Sequence, residues 1–229
     1  MPHTFCTLAI GAPYRTRAKL LCADLAPHPC MVLTDEPEDF RDMPWIRAKI
    51  HLPTGPMAED YLRRPEILGS QKSTAAYHDK RFVIEEALAD HGSCIFIDAD
   101  TRLVGPWPSI RCGPGLSIAG RKRTIHEHLL TYGPERRPFF EMLADDLDIS
   151  VRDAFWCSES CYAVVDDGKA RAFLDAWDYS ARFLQDNDVF SGEGGVMGLC
   201  AAHAKWVVDF EALAAIQPIL RHEGGGPKR

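Results

Sequence analysis

Strand, helix and strand follow one another within the first 35 residues, and no other feature constrains the fold as much. Thr4-Phe5-Cys6-Thr7-Leu8-Ala9-Ile10 is a short apolar run closed by Gly11-Ala12-Pro13. From about Tyr14 to Leu25, the residues Ala18, Leu21, Cys22 and Leu25 recur on one helical face, and Pro27 and Pro29 end the segment. Cys30 to Thr34 then predicts a second strand, ending in Asp35-Glu36-Pro37. Two strands joined through a helix cross over and pair in parallel. Trp45 to Leu52 predicts a third, shorter strand. The fold class expected is α/β, a mixed and mostly parallel sheet flanked by helices.

The same logic places the chemistry. Residues 53–72 are rich in Pro, Gly and charge and predict a loop or an irregular pair of helices. Ser73 or Thr74 can cap a helix running to about Asp90, with His91-Gly92 as its stop. A five-residue apolar run, Ser93 to Ile97, follows at once and ends in Asp98-Ala99-Asp100. Side chains alternate along a strand, so positions 98 and 100 are expected to point the same way. Open α/β sheets bind ligands at the C-terminal ends of parallel strands. Two carboxylates there suit a hard divalent cation, Mn²⁺ or Mg²⁺, whose usual task is to hold phosphate. Lys80 and Arg81 precede this strand on the helix; neighbours on a helix differ by about 100°, so one of them, Lys80, is expected to face the site.

The second half is less regular. Leu116–Ala119 and Cys161–Val165 predict strands, and Arg136–Leu147, Lys169–Leu184 and Val196–His203 predict helices. Arg121-Lys122-Arg123 is a small basic cluster, and Asp166-Asp167-Gly168 is a turn. His126 and His128 are expected in an exposed segment, and His203 as a satisfied core histidine. With 229 residues, no repeat and no linker, one domain spanning 1–229 is expected, its nucleotide and metal half at about 1–120 and its acceptor half at about 121–229. A net charge of −7 argues against a nucleic-acid partner, since that requires a basic field. No run approaches the roughly 20 apolar residues of a membrane span, and the N-terminus lacks a signal-peptide pattern, so a cytoplasmic location is expected. The eight cysteines are scattered without a C-x-x-C pair and predict buried free thiols.

An N-terminal strand-loop-helix, a helix carrying Lys80, and an apolar strand ending Asp98-Ala99-Asp100 together resemble the GT-A fold of nucleotide-sugar-dependent glycosyltransferases. The resemblance covers roughly residues 4–120 in order and spacing, and 155–205 more loosely. It implies that Asp100 ligates the metal and that Asp98 contacts the ribose or a metal-bound water. It also implies that Gly11, Tyr14 and Arg15 receive the nucleotide, with Gly11 allowing close approach, Tyr14 stacking on the base and Arg15 reaching phosphate. Asp35 would accept a hydrogen bond from base or ribose, and Lys80 would face the donor. Glu193, within Ser191-Gly192-Glu193-Gly194-Gly195, would orient an acceptor hydroxyl or take its proton, with Asp186 and Asp188 as nearby substitutes. His222-Glu223-Gly224-Gly225-Gly226-Pro227-Lys228 resembles the C-terminal His-x-x-Gly-x-x-Lys-Pro segment of glycogenin-like transferases, with Lys and Pro in reversed order. That likeness makes His222 a third metal ligand.

The activity so implied is metal-dependent transfer of a sugar from a nucleoside-diphosphate donor, a UDP-sugar, to a hydroxyl acceptor on a glycan, small molecule or protein. Two alternatives stand beside it. A haloacid dehalogenase-like, Mg²⁺-dependent phosphatase also carries D-x-D after an apolar strand, but it wants Thr or Val where Arg102 stands, and its motif falls on the first strand. A non-catalytic nucleotide-binding α/β domain would keep the carboxylates without turnover.

Overall fold

The computed structural model describes residues 3–54 and 78–223. The chain begins with β1 (Thr4–Ala9), α1 (Ala12–Leu25), β2 (Cys30–Thr34) and β3 (Ile46–Ile50). After the segment 55–77 come α2 (Lys80–His91), β4 (Ser93–Ile97), β5 (Thr101–Leu103) and β6 (Gly115–Ile118). The second half contains α3 (Ile125–Tyr132), α4 (Arg137–Asp146), β7 (Cys161–Val165), α5 (Ala170–Asp186) and α6 (Glu193–His203), then the short strands β8 (Val208–Asp209) and β9 (Leu220–His222). The expected caps at Ser73 and Thr74, and most of the 53–72 segment, lie outside the described residues.

Seven strands form one sheet in the order β3-β2-β1-β4-β7-β6-β8. The pairs β1–β2, β1–β4, β2–β3 and β6–β8 are parallel, whereas β7 is antiparallel to both β4 and β6. Within this sheet β7 alone runs against the rest. The expected mixed, mostly parallel sheet is therefore present. A second, two-stranded sheet pairs β5 with β9.

Alternation along the strands divides the core in two. Phe5, Val32, Ile95, Ile97 and Ala163 face one side and pack with Ala18, Leu21, Cys22 and Leu25 of α1. Cys6, Met31, Phe96, Tyr162 and Val164 face the other, against Val83, Ile84 and Ala87 of α2 and the buried stripes of α5 and α6. Phe96 and Tyr162 stack at 4.9 Å across β4 and β7. Each such large side chain taken fully out of water contributes about 1.5–3 kcal/mol of transfer free energy. All eight cysteines are free thiols and seven are buried. Burial pushes the Cys157, Cys161 and Cys200 thiols well up, consistent with packing groups and not nucleophiles. His203 binds the Leu147 carbonyl through Nδ1 at 3.0 Å. Among the described residues no helix is long and apolar enough to cross a membrane.

Candidate active site

At the C-terminal end of β4 the two aspartates part company. The strand stops at Ile97, and Thr101 N–H donates to the Asp98 carbonyl at 2.9 Å, so residues 98–101 form a turn. The strict alternation expected from a strand therefore does not extend to Asp100. Asp98 stays on the side of Phe96 and meets Lys80, Oδ1 to Nζ at 2.6 Å. Asp100 turns toward α1 and β9, with Oδ1 3.2 Å from His222 Nδ1 and Oδ2 3.8 Å from Arg17. The two carboxyls still sense each other: burial and the neighbouring Asp98 charge push the Asp100 carboxyl up.

His222 reaches this point through the small sheet. Thr101 pairs with His222 in register, and Glu223 N–H donates to the Asp100 carbonyl at 2.7 Å. Up to Glu223 the C-terminal segment is a strand locked onto the turn that carries Asp100. Gly224–Gly226 and Lys228 lie outside the described residues.

Lys80 and Arg81 are both buried, with 8% of each exposed, and the 100° between them sends them to different partners. Arg81 bonds Asp178 and the His78 carbonyl, both at 2.8 Å. Lys80 lies over the Phe96 ring and joins Asp98 to Glu193. Burial opposes the ammonium charge, but Asp98 and Glu193 outweigh it and raise the Lys80 pKa.

Glu193, expected to meet an acceptor hydroxyl, is instead wholly buried, with its carboxylate on Lys80. It occupies the first turn of α6, not a loop before it. Burial, reinforced by Glu159 and Asp98 against the pull of Lys80, pushes its carboxyl up to about 8. Its Oε2 is buried and has no hydrogen-bond partner among the described residues. In this arrangement Glu193 positions Lys80. Asp188 sits on an exposed turn after α5 at φ 53°, its N–H on the Gln185 carbonyl, and Asp186 is exposed at the end of α5.

The glycines around Glu193 serve close packing. A Cβ on Gly192 would come within 2.4 Å of Glu159 Oε1, and one on Gly194 within 2.3 Å of the Cys157 carbonyl. At Gly194 the neighbour is backbone, so only hydrogen fits, and α6 presses against the chain that leads into β7. That chain carries Glu159, whose Oε1 accepts the Gly194 N–H at 2.8 Å. Burial pushes the Glu159 carboxyl up while Lys80 pulls it down. Glu159 is partly exposed and lines a cavity of about 270 Å³ with His128, Trp156, Arg136, Ser191 and Gly192, among others. His128 is not in an open segment: its ring stacks on Trp156 at 4.4 Å and 3°.

Around the first loop, Gly11 adopts φ 83°, a left-handed value that favours glycine, and its N–H donates to Asp35 Oδ1 at 3.0 Å. Arg15 bonds Asp35 at 2.6 Å and Asp39 at 2.7 Å. Gly11, Arg15 and Asp35 thus brace α1 against the end of β2, and the guanidinium expected to reach phosphate is engaged by two carboxylates. Tyr14 is half-buried under Arg17, 5.6 Å from the ring centre, and burial and the Asp100 charge raise its hydroxyl pKa.

No protein-family model matches the sequence, and no curated protein matches it. Among solved structures, an active-site mutant of the galactosyltransferase LgtC aligns at TM-score 0.57 and 11% identity, covering 97% of this chain and 88% of that one. LgtC in complex with donor and acceptor sugar analogues aligns at TM-score 0.55 and 12% identity, covering 90% and 72%. The fold is that of the GT-A glycosyltransferases.

The GT-A resemblance implies Mn²⁺ or Mg²⁺. Among the described residues no group of three His, Cys, Asp or Glu side chains is placed to hold a metal ion by itself. Two carboxylates and an imidazole nevertheless flank one turn, and Asp98 and Asp100 repel one another there. Oxygen and imidazole donors suit Mn²⁺, and such ions commonly complete their shell with substrate phosphate and water. Asp100 and His222 supply an oxygen and a nitrogen donor 3.2 Å apart, so a cation here would draw the rest of its shell from Asp98, ligand and water.

Proposed function

We propose that this chain is a metal-dependent glycosyltransferase that moves a sugar from a UDP-sugar to a hydroxyl acceptor. The observation that carries the reading is the meeting of four separate segments at the end of β4: Asp98 and Asp100 on the turn, His222 from β9, Lys80 from α2 and Glu193 from α6. Asp98, Asp100 and His222 would hold Mn²⁺ or Mg²⁺. A cation there supplies Lewis-acid stabilisation of the diphosphate leaving group.

The chain's own residues do the rest. Lys80, held protonated by Asp98 and Glu193, supplies a fixed positive charge beside the developing negative charge. Glu193 keeps that ammonium aimed. Glu159, which faces open space, is the carboxylate available to orient the acceptor hydroxyl. The halves at about 1–120 and 121–229 would serve donor and acceptor within one domain.

Titration with UDP should stabilise the chain against heat only when Mn²⁺ or Mg²⁺ is present. Asp100→Ala should remove that stabilisation and lower donor turnover by about 100-fold or more while the unliganded chain stays folded. Metal-dependent turnover surviving in D100A would sink the proposal. Binding without any donor hydrolysis would mark a binding-only domain.

A further inference from the structure

Helix α1 sends its basic residues in two directions. Arg15 and Lys19 lie four residues apart, hence on one side of the helix, and both pair with Asp39. Tyr14 and Arg17, three residues apart, share a different side, and that side meets the β4 turn. The Arg17 guanidinium lies over the Tyr14 ring, 5.6 Å from its centre. The charges of Asp100, Asp98, Lys80 and Arg17 all reach the Tyr14 hydroxyl, so this side of α1 is a wall of the site.

The basic groups at this turn differ in how firmly they are held. Lys80 is buried between Asp98, at 2.6 Å, and Glu193. Arg17 meets Asp100 from Nη1 to Oδ2 at 3.8 Å, beyond hydrogen-bonding distance. Its side chain keeps 38% of its surface exposed, so its fork of N–H donors is open to a ligand. An ion pair this long and this wet holds its partners weakly. Charge balance then singles Arg17 out. Asp98 and Asp100 together offset one divalent cation, and Glu193 offsets Lys80. A diphosphate on that cation brings further negative charge, and Arg17 is the accessible guanidinium beside it.

We infer that Arg17 grips the phosphates of the donor: on loading it leaves Asp100 to the metal ion and turns its guanidinium to the diphosphate. This rests on the glycosyl-transfer reading above. The planar fork matches two phosphate oxygens at once, and a cation on Asp100 cancels the attraction that keeps Arg17 there. The role expected of Arg15 falls to Arg17, two residues on, because Arg15 is engaged by Asp35 and Asp39.

The test is calorimetric titration of the full chain with UDP at saturating Mn²⁺, and with uridine as the phosphate-free control. Arg17→Gln should weaken UDP about tenfold or more and leave uridine unchanged, so the preference for UDP over uridine falls by that factor. Arg17→Lys, which keeps the charge but not the fork, should retain part of the preference. Matching melting midpoints would show that both variants fold. Three results would overturn the inference. UDP may bind R17Q as tightly as wild type. UDP and uridine may weaken by equal factors, which would place Arg17 on the nucleoside through Tyr14. Or a tenfold increase in Mn²⁺ may restore UDP binding to R17Q, which would make Arg17 a support of the metal site. In each of these cases wild type binds UDP and the donor reading stands. Failure of wild type to bind UDP with Mn²⁺ would remove the donor reading, and the role of Arg17 with it.

Discussion

From β3 to β4 the strands run one way, and the side chains at the site come from strand ends and the loops that follow them. Beyond β4, the reversed strand β7 contributes the residues that precede it: Trp156, Cys157 and Glu159 arrive at the same edge as Asp98 because the chain enters β7 there. The first half is braced by ion pairs near the surface, as in Arg15 with Asp35 and Asp39. The second half is held by glycine-mediated contact of α6 with residues 155–159 and by a buried charge cluster. The difference predicts brittleness in the second half and tolerance in the first.

The largest effect should come from the link between the halves. Lys80→Met leaves Asp98 and Glu193 without their common cation, and removing one partner of a buried charge pair costs about 3–5 kcal/mol. Chemical denaturation of K80M should show that loss. The double variant K80M/E193Q should recover part of it, since it removes one of the stranded carboxylates. A K80M chain as stable as wild type would show that the cluster does not hold α2 to α6.

Gly194→Ala comes next. Alanine is favoured over glycine in a helix by about 1 kcal/mol, yet its Cβ would collide with the Cys157 carbonyl and the Trp156 ring. A net loss of about 1–3 kcal/mol is expected from overpacking. Gly113→Ala, where a Cβ meets nothing within 4 Å, should change stability by less than about 0.5 kcal/mol. Equal responses at the two glycines would erase the contrast in packing.

The same contrast decides what the sequence reveals. The βαβ start, the strand carrying Asp98 and the inward Lys80 are legible because they rest on local periodicity and on parallel order. Glu159 is not: Ser158-Glu159-Ser160 precedes an apolar run, and only the antiparallel pairing of β7 with β4 turns the start of that run toward the site. The five-residue run 161–165 holds no information about its direction. The Glu193 motif looks like a glycine loop around an exposed acid, whereas its glycines mark where one helix touches another segment's backbone. His128 is misread for a similar reason, because its stacking partner Trp156 is distant in sequence.

His128 offers a pH measurement of that hidden contact. Burial, with the Arg136 and Arg123 charges, pushes its pKa down to about 4, against about 6.5 in an unfolded chain. Between those values the unfolded chain binds the extra proton, so stability falls as pH drops from 6.5 toward 4 and is unaffected by this group above that window. For a half-buried ring screened by solvent the loss is about 1–2 kcal/mol. Urea midpoints across this range should slope less steeply in His128→Gln than in wild type. Identical slopes would place the imidazole in solvent.

The smallest effect belongs to the first half and tests its tolerance. Arg102 grips Asp24 with two hydrogen bonds, at 2.6 and 2.8 Å, and Leu103 N–H adds a third at 3.1 Å, tying β5 to α1. Both side chains remain partly in water, so a double-mutant cycle of Arg102→Ala with Asp24→Ala should give a coupling of about 1 kcal/mol. Because β5 also pairs with β9, loss of this grip should loosen His222 more than Asp98. R102A should therefore weaken Mn²⁺-dependent UDP binding by a small factor, about threefold, while leaving the ion pair of Lys80 with Glu193 undisturbed. A coupling near that of the Lys80 cluster would mean that the surface braces, and not the buried charges, hold the site together.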